Sequence, residues 1–360
     1  MRSASFIIMG LCILLCSSCI RPVPTGEWRG SSPYFIQCKD VQLVVLPDIG
    51  GTIVMLSDRS GENVLKSDRP KWYTKAEDMP SMSPYREPVP VNGHTVWLGP
   101  QSDWWVQQSV DARMRRKAPE WPPDPYLAMG RYTIQERTDS SVTLISPESP
   151  YSGIQLEKQI VVQGKGKVAV HVTARNVRSK PVRWDIWQNT RLRGDATCYV
   201  PVSGINGIKK ITSPPGQQPS PLFYTLTEGF FSFLEPYFPE HSSDIWTKAF
   251  LIPDALWMAA FTGNMLFIKR FPSYPDSLIH PAQAPVEVYL RRSSDPEKDI
   301  LEMEHHSSYR VLQPGESMED YEIWEIYPYD GPKNLQDHIA FLRKLGLQEP
   351  LKTDFSSSGQ

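Results

Sequence analysis

Residues 181–191, PVRWDIWQNTR, separate into two faces when read with a strand's period of two. Val182, Trp184, Ile186 and Gln188 point one way and suit a packed core. Arg183, Asp185, Trp187, Asn189 and Arg191 point the other way. That second set mixes charges, an amide and an indole; it is costly to desolvate as core and unusually aromatic for plain surface. Planar hydrogen-bonding groups beside an indole suit a polyhydroxylated, partly apolar ligand such as a sugar. A solvent-facing strand whose Trp covers an Arg stem shows the same pattern.

Other side chains add to this set. Glu302 and Glu304 share one face of an extended stretch, as carboxylates lining a cleft or as a solvated charged face. Asp185 and Glu304 together would suit glycan cleavage, with a separation of ~5–5.5 Å for retention or ~6.5–9.5 Å for inversion. Lys269 alternates with Met265 and Phe267, so its ammonium either meets a ligand or snorkels to water. Trp104 and Trp105 follow Gln101-Ser102-Asp103 on an expected loop, where indoles offer stacking platforms. Arg113, Arg115 and Arg116 read as a solvated charge cluster, with an acidic sugar or phosphate as the alternative.

His305 and His306 are adjacent on a strand and face opposite ways, so they cannot readily share a metal ion. Neither Cys38 nor Cys198 has metal-ligand spacing. No nucleophile elbow, phosphate loop, dinucleotide fingerprint or His-Glu-Xaa-Xaa-His occurs. Neither a metal nor a cofactor is expected. The net charge of -2, without a basic stripe, disfavours nucleic acid as a partner.

The first residues read as a targeting segment. Arg2 supplies a positive start, residues 6–15 are apolar but too short to span a bilayer, and Ser17-Ser18 precede Cys19. Residues 15–19, LCSSC, resemble a bacterial lipoprotein signal in which the Cys carries lipid after cleavage. The expectation is a signal over 1–18, lipidation at Cys19 and a tether over 19–31. The protein would then be exported and held to a membrane by its lipid anchor on the periplasmic or cell-surface side; an ordinary secretory signal would leave it secreted. An exported protein permits a Cys38–Cys198 bridge, which the sequence leaves open.

The remainder must hold these groups in place. With 34 Pro, 22 Gly, 11 Trp and 15 Tyr, the composition suits a loop-rich β protein. Strands are expected at 41–46, 52–56, 95–98, 132–136, 142–146, 154–162 and 168–177, leading into the opening segment. A second group covers 256–261, 265–271, 286–291, 300–306 and 320–326, while 203–250 lacks regular periodicity. Asn334 caps a helix with Leu335, Ile339, Leu342 and Leu345 on one stripe. These elements make an all-β fold, a large antiparallel β-sandwich with a short C-terminal helix over 32–348, followed by a frayed tail over 349–360.

The order of elements resembles the galactose-mutarotase-like superfamily, and within it an uncharacterised branch. The resemblance rests on Pro47-Asp48-Ile49-Gly50-Gly51-Thr52-Ile53, on residues 92–100 (NGHTVWLGP) and on Ile268-Lys269-Arg270-Phe271. It rests also on Leu301-Glu302-Met303-Glu304 leading to residues 312–317 (LQPGES). In the epimerases of this superfamily, a Glu takes the anomeric proton and a His protonates the ring oxygen. The resemblance implies Glu304 as the base and His94 as the acid. The second expected His is replaced on its strand by Asp185, Trp187 and Gln188, with Asp185 as a substitute acid. Arg183, Trp187, Asn189 and Arg191 would bind substrate, with Lys269 and Trp104 at the rim. The leading expectation is an exported carbohydrate-binding protein, non-catalytic or accessory to glycan use; the alternative is an aldose 1-epimerase-like enzyme.

Overall fold

A computed structural model describes residues 30–347 except 39, 214–223 and 235–244. The expected signal, Cys19 and the C-terminal tail lie outside the described residues.

Alternating β-branched and polar residues form two ten-stranded antiparallel sheets. The first runs β1 (Tyr34–Cys38), β2 (Val41–Leu46), β3 (Thr52–Ser57), β4 (His94–Gly99), β9 (Val182–Arg193), β18 (Ile300–His306), β17 (Val286–Arg292), β14 (Ile245–Leu251) and β11 (Ile208–Thr212). A short strand, β19 (Arg310–Leu312), also pairs with β9. The second sheet runs β12 (Tyr224–Thr227), β13 (Phe230–Phe233), β10 (Thr197–Pro201), β15 (Trp257–Thr262), β16 (Met265–Arg270), β20 (Ser317–Pro328), β8 (Lys167–Asn176), β7 (Ile154–Gly164), β6 (Ser141–Ile145) and β5 (Thr133–Arg137). The helix α3 (Leu335–Lys344), capped by the Asn334 side chain, lays Ile339 and Leu342 on the outer face of the second sheet against Tyr199 and Phe261.

The two sheets enclose the core, which Trp184, Ile186, Met303, Phe267, Val170 and Trp324 help to fill. Turn geometry fixes where strands enter it. Gly50 and Gly51 both adopt positive φ, and a Cβ on Gly50 would lie 2.1 Å from the Ala128 carbonyl.

Burial separates β9 from its counterparts in the second sheet. In β7 and β8, buried residues alternate with half-buried or exposed ones, so one face meets water. From Trp184 to Thr190, β9 is buried on both faces. Part of the cover on its outer face is Trp104, which stacks on Trp187 and lies in the segment after β4 that also contains two short helices, α1 (Ala112–Lys117) and α2 (Pro125–Ala128). Strands β11, β12, β13 and β14 fall in the region where the sequence shows no regular period. Cys38 and Cys198 are both free.

The core also contains charge. Lys269, expected at a ligand rim or snorkelling to water, does neither: it is fully buried, 2.7 Å from Glu322 Oε1, and donates to the Met303 carbonyl at 3.0 Å. Nearby, Asp320 accepts hydrogen bonds from Gln188 and Tyr274. Removing one partner of such a pair costs ~3–5 kcal/mol, because the other charge stays buried. These contacts tie β9 and β18 to the opposite sheet.

Lys158 is different. It faces the core from β7, donates to the Gly50 carbonyl at 2.8 Å and lies 4.9 Å from the centre of the Tyr132 ring. Burial lowers its pKa from 10.5 to about 7. The unfolded chain therefore binds more protons between those values, and stability rises with pH across that window. Lys158→Met should be more stable than wild type at pH 7, by roughly 2–4 kcal/mol, with the advantage shrinking as pH climbs towards the free-lysine value. Urea unfolding of both proteins across that range checks this; parallel stability curves would contradict it.

Candidate functional site

Strand register sorts the chemistry-bearing side chains into rows on the outer face of the first sheet. Thr95, Asn189, Glu304 and Glu287 align across β4, β9, β18 and β17. On one side of that row lie Trp97, Trp187 and His306. On the other lie Arg191, Glu302, Tyr289 and Lys248. Asp185 sits one step beyond Trp187, opposite Gly99. A Cβ on Gly99 would lie 2.3 Å from Gln283 Nε2 and 2.5 Å from Asp185 Oδ1, so only glycine leaves room for both side chains.

Glu304 is at the centre. Its Oε2 accepts from Trp187 Nε1 at 3.0 Å and from Lys248 Nζ at 2.7 Å. The same ammonium is 2.7 Å from Glu287 Oε2. His306 lies 3.4 Å from Glu287 and 3.4 Å from Asp185, with the Gln283 side-chain amide 2.7 Å from its Nδ1, where a protonated ring takes the amide oxygen as its acceptor. Glu304 Oε1, Asp185 Oδ2, Asn189 Oδ1 and Thr95 Oγ1 are buried without a hydrogen-bond partner. Each unsatisfied group costs ~1–3 kcal/mol, which a ligand carrying several donors would relieve.

The electrostatics follow from burial and these partners. Burial pushes Glu304 up to about 8; Lys248 opposes the rise, while Glu287 and Glu302 add to it. Burial alone would lower His306, but Glu287 and Asp185 outweigh it and raise the imidazole to about 9. Burial would raise Glu287, yet Lys248 and His306 bring it down to about 2. The result is a neutral acid beside an imidazolium near pH 7. Glu287, Glu304 and His306 also bring ligand-type atoms within 4.8 Å of one another, but a metal ion there would have to displace the Lys248 ammonium.

Several expected site residues are placed elsewhere. His94 lies on the inner face, where its Nδ1 is 2.8 Å from Thr190 Oγ1 and its ring meets Trp324 edge-on. Burial holds its pKa well below the usual value. It therefore lies on the opposite face of the sheet from Glu304, the face towards which Lys269 of the second sheet points. Trp104 and Trp105 are buried rather than exposed loop platforms, their indoles donating to the carbonyls of Leu98 and Pro122. Trp104 stacks on Trp187, and Lys248 sits 4.8 Å above the Trp187 ring. Trp187 thus fixes Glu304 and offers no open stacking face. Arg191 pairs with Glu302 at 2.6 Å, and Arg183 lies over Tyr309, away from this group. Arg113, Arg115 and Arg116 lie on α1 and are exposed.

Asp185, Trp187, Asn189, Arg191 and Glu304 are brought together. Lys248, Glu287 and Gln283 join them without having been singled out, as does His306, which the sequence offered only as a rejected metal pair with His305. A small cavity of about 10 Å³, lined by Trp97, Trp104, Asp124 and Trp184, lies behind the indoles and has room for about one water molecule. Lys248, Glu302 and Arg191, on one side of the charged group, keep 13–16% of their side-chain surface exposed, while Glu304 itself is fully buried.

With two large antiparallel sheets and this strand order, the fold is that of the galactose-mutarotase-like proteins. A putative aldose 1-epimerase from Klebsiella pneumoniae superposes with a TM-score of 0.54 at 12% identity, covering 88% of this chain and 83% of that one. A galactose mutarotase-like protein from Clostridium acetobutylicum gives 0.48 at 13% identity, covering 84% and 98%. A putative aldose 1-epimerase from Escherichia coli gives 0.47 at 13%, covering 83% and 100%. Residues 35–327 match the model of the domain of unknown function DUF4380, and the chain belongs to that family. No curated protein matches it by sequence.

Because the Glu304 pKa is raised on folding, the stability it contributes is present below about pH 4.5 and lost as pH rises through about 8. Glu304→Gln should therefore gain on wild type, by up to ~1.4 kcal/mol per pH unit across that window, and hold level above it. Chemical denaturation of both proteins from pH 4 to 9 reads this difference. A constant offset would show that the carboxyl is not perturbed.

Proposed function

We propose that this protein binds a carbohydrate on the outer face of the first sheet and exchanges a proton with it through Glu304, as an isomerase of the epimerase type. The observation that carries this reading is the state of the Glu304 carboxyl. One oxygen is fixed by Trp187 and Lys248, while the other is buried and unpartnered, and a carboxylate oxygen of Glu304 lies within 4.8 Å of a ring nitrogen of His306. The anomeric hydroxyl and the ring oxygen of a sugar share one carbon, so a base and an acid a few ångströms apart reach both. Glu304 Oε1 takes the hydroxyl proton and His306 gives one to the ring oxygen. The ring opens, the carbonyl carbon rotates, and closure on the other face returns both protons. Asp185 and Glu287 hold the imidazolium, while Lys248 limits how far burial raises Glu304.

A second reading, sugar binding without turnover, is favoured by Trp187 standing on β9 where the epimerases are expected to carry a further His. Polarimetry with a panel of free aldoses separates the two. The enzyme reading expects mutarotation faster than buffer, fastest between about pH 8 and about pH 9, where Glu304 is ionised and His306 still protonated. Glu304→Gln should lower the catalysed rate by ~10²–10⁴-fold. Calorimetric binding with buffer-level rates would leave the binding reading alone; neither binding nor catalysis for any sugar would end both.

Export with a lipid on Cys19 belongs to the same proposal, placing the site where extracellular glycans are met. Radiolabelled palmitate should enter the full chain and not its Cys19→Ser variant; equal labelling would rule the anchor out.

A further inference from the structure

The partly exposed side of the charged group continues into an aromatic pair. Beyond the Lys248–Tyr289–Glu302–Arg191 row lies Trp246, of the same parity as Lys248 on β14 and paired through its backbone with Arg291 of β17. Its indole stacks with the Tyr289 ring, 6.0 Å between centroids and 29° between planes. Both side chains are half-buried, unlike Trp97, Trp104 and Trp187, which are closed over. This pair is an aromatic shelf on the same sheet face as Glu304, on the side where Lys248, Glu302 and Arg191 are partly exposed.

From this geometry we infer that the shelf is a second sugar-binding position, and that the ligand is a neutral oligosaccharide or glycoside longer than one ring. The inference rests on the carbohydrate reading of Glu304 and extends it. Strands lie ~4.8 Å apart and two residues advance a strand by roughly 6.6 Å, which places Tyr289 on the order of 8 Å and Trp246 on the order of 16 Å from Glu304. One pyranose at Glu304 cannot also cover Trp246. A chain can, laying the apolar face of its next unit on the half-buried indole, which the Tyr289 ring backs, while its hydroxyls meet the charged row. That row suits a neutral chain, because Arg191 is paired with Glu302 and Lys248 with two carboxylates.

The test is calorimetry of the full chain with glucose, galactose and xylose and with oligomers of each from dimer to hexamer, on wild type, Trp246→Ala and Trp246→Phe. The expected result is an affinity that rises about tenfold or more from monomer to trimer in at least one series. Trp246→Ala removes that increment and Trp246→Phe restores most of it. Circular dichroism of each variant shows that it is folded. Affinity independent of chain length, or a length dependence that survives Trp246→Ala, overturns the shelf while leaving the Glu304 reading intact. Absence of binding to any monomer or oligomer overturns both.

Discussion

One ammonium organises this protein's charged face. Lys248 stands 2.7 Å from both Glu287 and Glu304. Without it, two carboxylates on adjacent strands would face each other in a buried row, where like charges repel with little solvent to screen them. With it, burial can be close to complete, because His306 and Lys248 balance the acids that remain ionised. The opposing shifts of Glu304 and His306 follow from that compromise. The carboxyl is held by one oxygen and only partly neutralised, while the imidazole faces two acids.

The sandwich serves this arrangement from both sides. Inward, β9 and β18 send Gln188 and His305 towards Asp320 of the opposite sheet, and Lys269 holds the Met303 carbonyl next to Glu304. Outward, Trp104 stacks on Trp187 and Gln283 contacts His306. Glu304 therefore sits on a strand fixed through its neighbours on the other face, rather than on a loop free to adapt.

Much of the fold was legible in the chain. Period-two alternation located β2 and β18 with the bounds they adopt, and most other strands to within a residue or two. The same alternation placed Asp185, Trp187, Asn189 and Arg191 on one face and separated His305 from His306. It did not reveal Lys248 or Glu287, because β14 reaches this face only by pairing with β17 and neither residue carries a local motif. Trp104 looked like an exposed loop indole because its cover, the Leu98 carbonyl and Trp187, is formed by the fold. His94 was placed by analogy in chain order. Its register partner, Thr190, shares parity with Gln188, which the alternation already assigned to the core.

The link between Trp187 and Glu304 has an optical consequence. An indole whose N–H is bound to a carboxyl that titrates above neutrality experiences a different local field in each charge state, and its emission shifts accordingly. Trp97 and Trp104, with ring centroids 5.0 and 5.9 Å from Trp187, are near enough to pass excitation to it. The chain thus contains its own spectroscopic gauge of the charge on a buried acid, readable in solution without any added label.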